Sequence, residues 1–164
     1  MKRLALAATI AAALALFGMW WFSPTQVLKR KTQSLLATLT LDESKGQTTR
    51  QMGAYSLNGL LASEVELDTP TIKEANGTFA RSELESAYSW LCQQAKQTHF
   101  KLVKMKSISV NGDTAKVELT LDGLVELPVY RPADGIYDVT FDWRKQEDGW
   151  RLTRATWQQR EGRK

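Results

Sequence analysis

The chain has 164 residues and a formal net charge of +4, which suits one globular domain with a core of its own. The charge is too low, and its basic residues too scattered among few aromatics, for a nucleic-acid interface; the closing strip Arg151, Arg154, Arg160, Arg163 and Lys164 reads as a solvated strand edge and tail. One cysteine, Cys92, excludes an internal disulfide, and with one histidine, His99, it makes no zinc site without several carboxylates.

Lys2-Arg3 opens the chain, and Leu4 to Phe22 then runs without a charge. At about 1.5 Å per helical residue the run matches the thickness of a hydrocarbon core. It ends in Trp20-Trp21-Phe22, and Trp favours the headgroup layer. Residues 1–22 therefore predict a signal anchor, a transmembrane helix that ties the protein to a membrane. The rival is a cleaved signal peptide, but Ala13-Leu14-Ala15, the small-x-small candidate, lies inside the apolar run. No cysteine near the end of the run is available for lipidation. Lys2 and Arg3 favour a cytoplasmic N-terminus, whereas Lys29, Arg30 and Lys31 argue the other way. The expected placement has the domain outside the cytoplasm, periplasmic in a bacterium.

Residues 23–160 form the predicted domain, and residues 161–164 a basic tail. Ser23-Pro24 suits a helix start, and Val27, Leu28, Leu35, Leu36 and Leu39 give it one apolar stripe. A weaker helix is predicted over 48–61, where Gly53 and Gly59 interrupt Met52, Tyr55, Leu60 and Leu61. Residues 63–68 alternate as a short strand, with Val65 and Leu67 on one face and Glu64, Glu66 and Asp68 on the other. Residues 71–78 read as a loop; Asn76-Gly77-Thr78 matches a glycosylation sequon and also a turn. Ser82 to Glu85 reads as a capping box opening a helix that carries Leu84, Ala87, Tyr88, Leu91, Cys92, Ala95 and His99 at helical spacing.

From Lys101 to Gln158 the pattern predicts four consecutive antiparallel strands. The first has Val103 and Met105 facing one way, and Ile108 and Val110 on the parity of Lys104 and Lys106, so a bulge near Ser107 is expected. Asn111-Gly112 supplies a tight turn. Ala115, Val117, Leu119 and Leu121 then alternate with Lys116, Glu118, Thr120 and Asp122. Tyr137, Val139, Phe141 and Trp143 alternate with Asp138, Thr140, Asp142 and Arg144. Gly123 falls at an inward position, where a missing side chain lets a long strand bend. The class is α+β, with helices packed on a strongly curved antiparallel sheet.

This order of helices, short strand, long helix and bent meander resembles the nuclear transport factor 2-like superfamily, also called SnoaL-like or cystatin-like. The resemblance covers about residues 24–158. It rests on the order, on the strand Glu64-Val65-Glu66-Leu67, on the helix start Arg81-Ser82-Glu83-Leu84, and on the ending Asp148-Gly149-Trp150-Arg151-Leu152. It implies a cone with a pocket between helices and sheet. Members include steroid isomerases, dehydratases, polyketide cyclases, ring-hydroxylating dioxygenase small subunits, singly anchored secretion-system components and proteins with no chemistry, so fold alone selects no function.

Enzymes on this fold place an Asp, His or Tyr in the pocket. Here every strand carboxylate, Glu64, Glu66, Glu118, Asp122, Asp138 and Asp142, takes the outward parity, which points away from a buried general base. The residues expected to reach the pocket are Tyr55, Tyr88, His99, Tyr137 and Trp143; each has a competing reading, His99 as a helix-end residue and the aromatics as core. No catalytic residue, metal or cofactor is assigned. The expected function is binding, of an apolar small molecule, an envelope protein or a second copy. A cyclase- or isomerase-type enzyme using His99 or a tyrosine is the alternative. A structural part of a secretion assembly is a third reading, weakened because only Lys2 and Arg3 are there to form a tail before the span. If the anchor is retained, the mature protein stays in the membrane fraction after carbonate extraction and begins at Met1 or Lys2; a soluble form starting near Leu16 or beyond would refute it.

Overall fold

The computed structural model describes residues 14–42, 46–69, 75–128 and 132–160, without the side chains of residues 47–49, 51 and 54. A short helix α1 (residues 14–21) leads through Ser23 into α2 (Pro24–Leu39). Pro24 takes a first-turn position, where its missing N–H leaves no bond unmade, and Ser23 caps through its carbonyl, which accepts the Val27 N–H at 3.0 Å, not through its side chain. Arg30 closes the junction: its guanidinium lies 4.4 Å from the Trp21 ring centre and donates to the Trp21 carbonyl at 3.0 Å. The apolar side chains before this junction stay outside the core: Phe17, Trp20 and Trp21 touch one another's rings and Arg30, Leu16 is 68% exposed and Phe22 74%. Among the described residues no helix is long and apolar enough to cross a membrane; residues 1–13 of the expected anchor, and the tail 161–164, lie outside them.

Helix α3 (Gln47–Asn58) is followed by β1 (Leu61–Asp68), β2 (Gly77–Ala80), α4 (Arg81–Gln94) and the meander β3 (Gln97–Asn111), β4 (Thr114–Glu126), β5 (Ala133–Gln146) and β6 (Gly149–Gln159). The strand order is β2-β1-β6-β5-β4-β3. Two expectations change. Gly77-Thr78 belong to a strand, β2, which pairs antiparallel with β1. The sheet is mixed, because β1 runs parallel to β6. A parallel neighbour so far along the chain is joined by no turn, and so has no local signature.

Helix α4 starts one residue earlier than its apparent box. Ala80, the last residue of β2, is the N-cap, and its N–H donates to the Glu83 carboxylate at 2.7 Å. Ser82 sits inside the first turn, and Glu85 instead accepts from Asn58 Nδ2 at 2.8 Å. Asn76 does turn work: its Oδ1 accepts from Thr69 N at 2.5 Å and from Thr69 Oγ1 at 3.0 Å.

The sheet faces follow the alternation. Ala115, Val117, Leu119, Leu121, Val139, Phe141 and Trp143 are buried in one core with Leu28, Leu35 and Leu36 of α2. Strand β3 slips register against β4 twice, between Leu102 and Lys104 and between Met105 and Ser107. The second slip is the expected bulge. The first was not anticipated, and it turns Phe100 and Leu102 to the core while Val103 is left 56% exposed. On the outer face Asp138 gathers three partners: Thr120 Oγ1 at 2.9 Å, Lys106 Nζ at 2.8 Å and Arg160 Nε at 3.3 Å. The Lys106 and Thr120 hydrogen bonds hold its carboxyl below the usual range.

Phe141→Ala removes a ring that is 1% exposed and should lower stability by about 2–5 kcal/mol. Glu118→Ala, on the opposite face, should change it by no more than about 0.5 kcal/mol. Urea melts giving similar losses for the two would mean that the faces are reversed.

Candidate functional site

Two apolar cavities lie on the core side of the sheet. The larger, about 360 Å³, is bounded by Leu35 and Leu39 of α2, Leu57 of α3, Leu84, Tyr88 and Leu91 of α4, and by Val65, Phe141, Leu152 and Trp157 of the sheet. The smaller, about 150 Å³, lies towards the ends of β1 and β6, between Leu67, Thr69, Phe100, Leu121, Val125, Tyr137 and Trp157. Among the described residues, neither wall contains a carboxylate, a histidine or a basic side chain.

The smaller cavity exists because the strands passing it carry almost no side chain. Gly123 of β4 pairs with Gly135 of β5, next to the pair Val125–Ala133. The Tyr137 ring lies over the two glycines. A Cβ on Gly123 would come within 3.2 Å of it, and one on Gly135 within 3.6 Å. Burial, and secondarily the Asp134 charge, push the Tyr137 hydroxyl pKa up, so the group stays protonated. No hydrogen bond of that hydroxyl is found among the described residues.

Tyr88 bounds the larger cavity but is already committed. Its hydroxyl makes a very short hydrogen bond to the Thr38 carbonyl, and burial, then Cys92, raise its pKa. Gly53 is what lets α3 approach this ring: a Cβ there would lie 3.3 Å from the hydroxyl oxygen. Burial also pushes the Cys92 thiol up, against the opposing pull of the Tyr88 hydroxyl and of Arg50.

The other three expected pocket residues stand elsewhere. Tyr55 lies on the outside of α3 and is 83% exposed. His99 is not at a helix end. Helix α4 stops at Gln94, and His99 is an exposed residue of β3 paired with Leu124. The helical spacing fails there because the sheet takes over: Lys96 N donates to Glu126 O at 2.9 Å, and Thr98 is bonded to Leu41 and Leu39. Trp143 is buried towards the opposite end of β5 and borders a shallow groove with Ser109, Lys116 and Arg144, apart from both cavities. Its indole N–H has no hydrogen-bond partner among the described residues.

Arg50 was not anticipated. It donates to the carbonyls of Ala95 at 2.8 Å, Lys96 at 2.8 Å and Asp42 at 2.9 Å, clamping α3 to the end of α4. A lone arginine in a weak helix carries no local sign of such contacts. The smaller cavity did leave a sign, in the inward glycine at position 123 and small residues at 133 and 135. Among the described residues no cluster of His, Cys, Asp or Glu could hold a metal.

With this geometry in place, comparison with solved structures identifies the fold. A nuclear transport factor 2-like superfamily protein from Salmonella enterica serovar Typhimurium superposes with a TM-score of 0.63 at 13% identity, over 84% of this chain and 92% of that one. A protein of Streptomyces avermitilis described as a candidate dehydratase of the NTF2-like family gives 0.62 at 17% identity, over 84% and 96%. A candidate aromatic ring hydroxylase from Novosphingobium aromaticivorans gives 0.65 at 12% identity, over 82% and 87%. The domain therefore has the NTF2-like, or cystatin-like, fold, with helices over a six-stranded mixed sheet. No family model matches the sequence, and no curated protein matches it.

Gly123→Ala tests how the smaller cavity is built. The added methyl group must displace the Tyr137 ring by a few tenths of an ångström, and should cost about 1–2 kcal/mol. An unchanged urea midpoint would show that the ring is not held against Gly123.

Proposed function

We propose that this chain is a membrane-anchored, extracytoplasmic NTF2-like domain that holds an apolar small molecule between its helices and its sheet without transforming it. The observation that carries the reading is the chemistry of the walls. Among the described residues both cavities are lined by aliphatic and aromatic side chains, and the polar exceptions are Thr69, Tyr88 and Tyr137. Burial of an apolar surface there contributes about 25 cal/mol per Å² before ordering costs. Such walls offer no charge to a developing carbanion or oxyanion. Support for the anchor comes from the uncharged run Leu4–Phe22 and from the exposure of Leu16, Met19 and Phe22, which the domain's own core leaves uncovered.

A second reading, a dehydratase- or isomerase-type enzyme, is favoured by one observation: the Tyr137 hydroxyl, without a hydrogen-bond partner among the described residues, belongs to a side chain in the wall of the smaller cavity. The two readings separate in one experiment. Lipids, sterols and aromatic compounds are titrated against tryptophan fluorescence, and the recovered compound is weighed by mass spectrometry. Quenching with unchanged mass supports binding. A mass change that is lost in Tyr137→Phe would make the protein an enzyme.

A further inference from the structure

The two cavities share two wall residues, Leu67 of β1 and Trp157 of β6. These stand on neighbouring parallel strands, where Leu67 pairs with Ala155, two residues before Trp157 on the same face. Both side chains are only partly buried, and they stand between the two apolar spaces. We propose that the site takes one long unbranched acyl chain, threaded from the larger cavity between Leu67 and Trp157 into the smaller. This rests on the reading of the cavities as an apolar ligand site.

Three observations favour such a chain over a compact body. A volume of about 150 Å³ is below the range that normally holds a whole ligand, so the smaller cavity makes sense as the end of a longer path. A passage between these two side chains would admit a chain that rotates about each bond and stop a fused ring system. Among the described residues neither wall offers a partner to a charged head group, so the head is placed outside. The place for it is beside Trp90, which edges the larger cavity, is 54% exposed, and adjoins a groove carrying Ser86, Ser89 and Gln93, on the side away from Glu85 in the same groove if the head is anionic.

The test uses the full chain, held in solution by an amphipathic polymer, and straight-chain alkanoic acids from octanoic to octadecanoic, followed by tryptophan fluorescence. Affinity should rise about fourfold per added methylene. In Val125→Phe, whose larger side chain fills the smaller cavity, the rise should stop at a shorter chain, while short acids bind as they do to the parent and report that the variant is folded. Ala133→Leu fills the same space from an exposed position and serves if Val125→Phe does not fold. A lysophospholipid with the same chain identifies the source: equal binding means that any acyl lipid is accepted, weaker binding that the free acid is the ligand, and both support the chain. A series that levels off at the same length in parent and variants, or a sterol that binds where no chain does, overturns the threaded chain and leaves the apolar site standing. Absence of binding by any apolar compound sinks both.

Discussion

The helical layer stays over the sheet because of a buried threonine. Thr98, 1% exposed at the start of β3, exchanges backbone bonds with Leu41 at 3.0 Å in both directions; its hydroxyl accepts from Leu41 N at 2.9 Å and donates to Leu39 O at 2.5 Å. Two residues further, Phe100 N donates to Thr40 Oγ1 at 3.2 Å. At the end of α2 the Leu39 carbonyl is thus satisfied by a strand more than fifty residues away, and the Thr38 carbonyl by Tyr88 of α4. Arg50 does the same for the end of α4. Each helix end is thus pinned by polar groups, and the apolar stripe between them is free to leave space unfilled.

That space is made by subtraction. A sheet covered by helices normally fills its core face with large side chains, as Phe141 and Trp143 do in the buried half of β5. At the other end, Gly123, Gly135 and Ala133 leave the Tyr137 ring lying on bare backbone with an opening beyond it. The first register slip in β3 leaves Phe100 and Leu102 on the core side, and Phe100 joins the same wall. On the outer face the charges pair with one another, Asp138 with Lys106 and Arg160, and Arg154 with Glu66 and Asp68 at 3.5 and 3.6 Å. These pairs are half-exposed and contribute little each. Their consequence is geometric, since they keep charge off the cavity side.

Likeness to proteins described as a candidate dehydratase and a candidate ring hydroxylase, at 12–17% identity, is a likeness of backbone. On one scaffold the side chains facing the cavity decide between chemistry and binding. Among the described residues those positions hold Leu, Val, Ala, Gly, Phe, Trp, Thr69 and two tyrosines, and one of the tyrosines, Tyr88, is already bonded to a backbone carbonyl.

Alternation by itself determined the faces of β4 and β5, the outward parity of Glu118 and Asp138, and the inward gap at Gly123, because a strand reverses its side chains at every residue and a half-buried sheet must sort them. The order of elements was enough to suggest the cone. The exposed turns of α3 that carry Tyr55, the change from helix to strand before His99, the cap at Ala80 in place of Ser82, and the parallel pairing of β1 with β6 were decided by tertiary structure. Each depends on a partner distant in sequence. His99 fits a helical stripe until Glu126 and Leu41 offer its neighbours better bonds, and Trp143 and Tyr137 look alike along β5 until the helices cover one and leave the other beside a cavity. Local pattern records which way a side chain points; what stands opposite it is fixed only when the chain closes on itself.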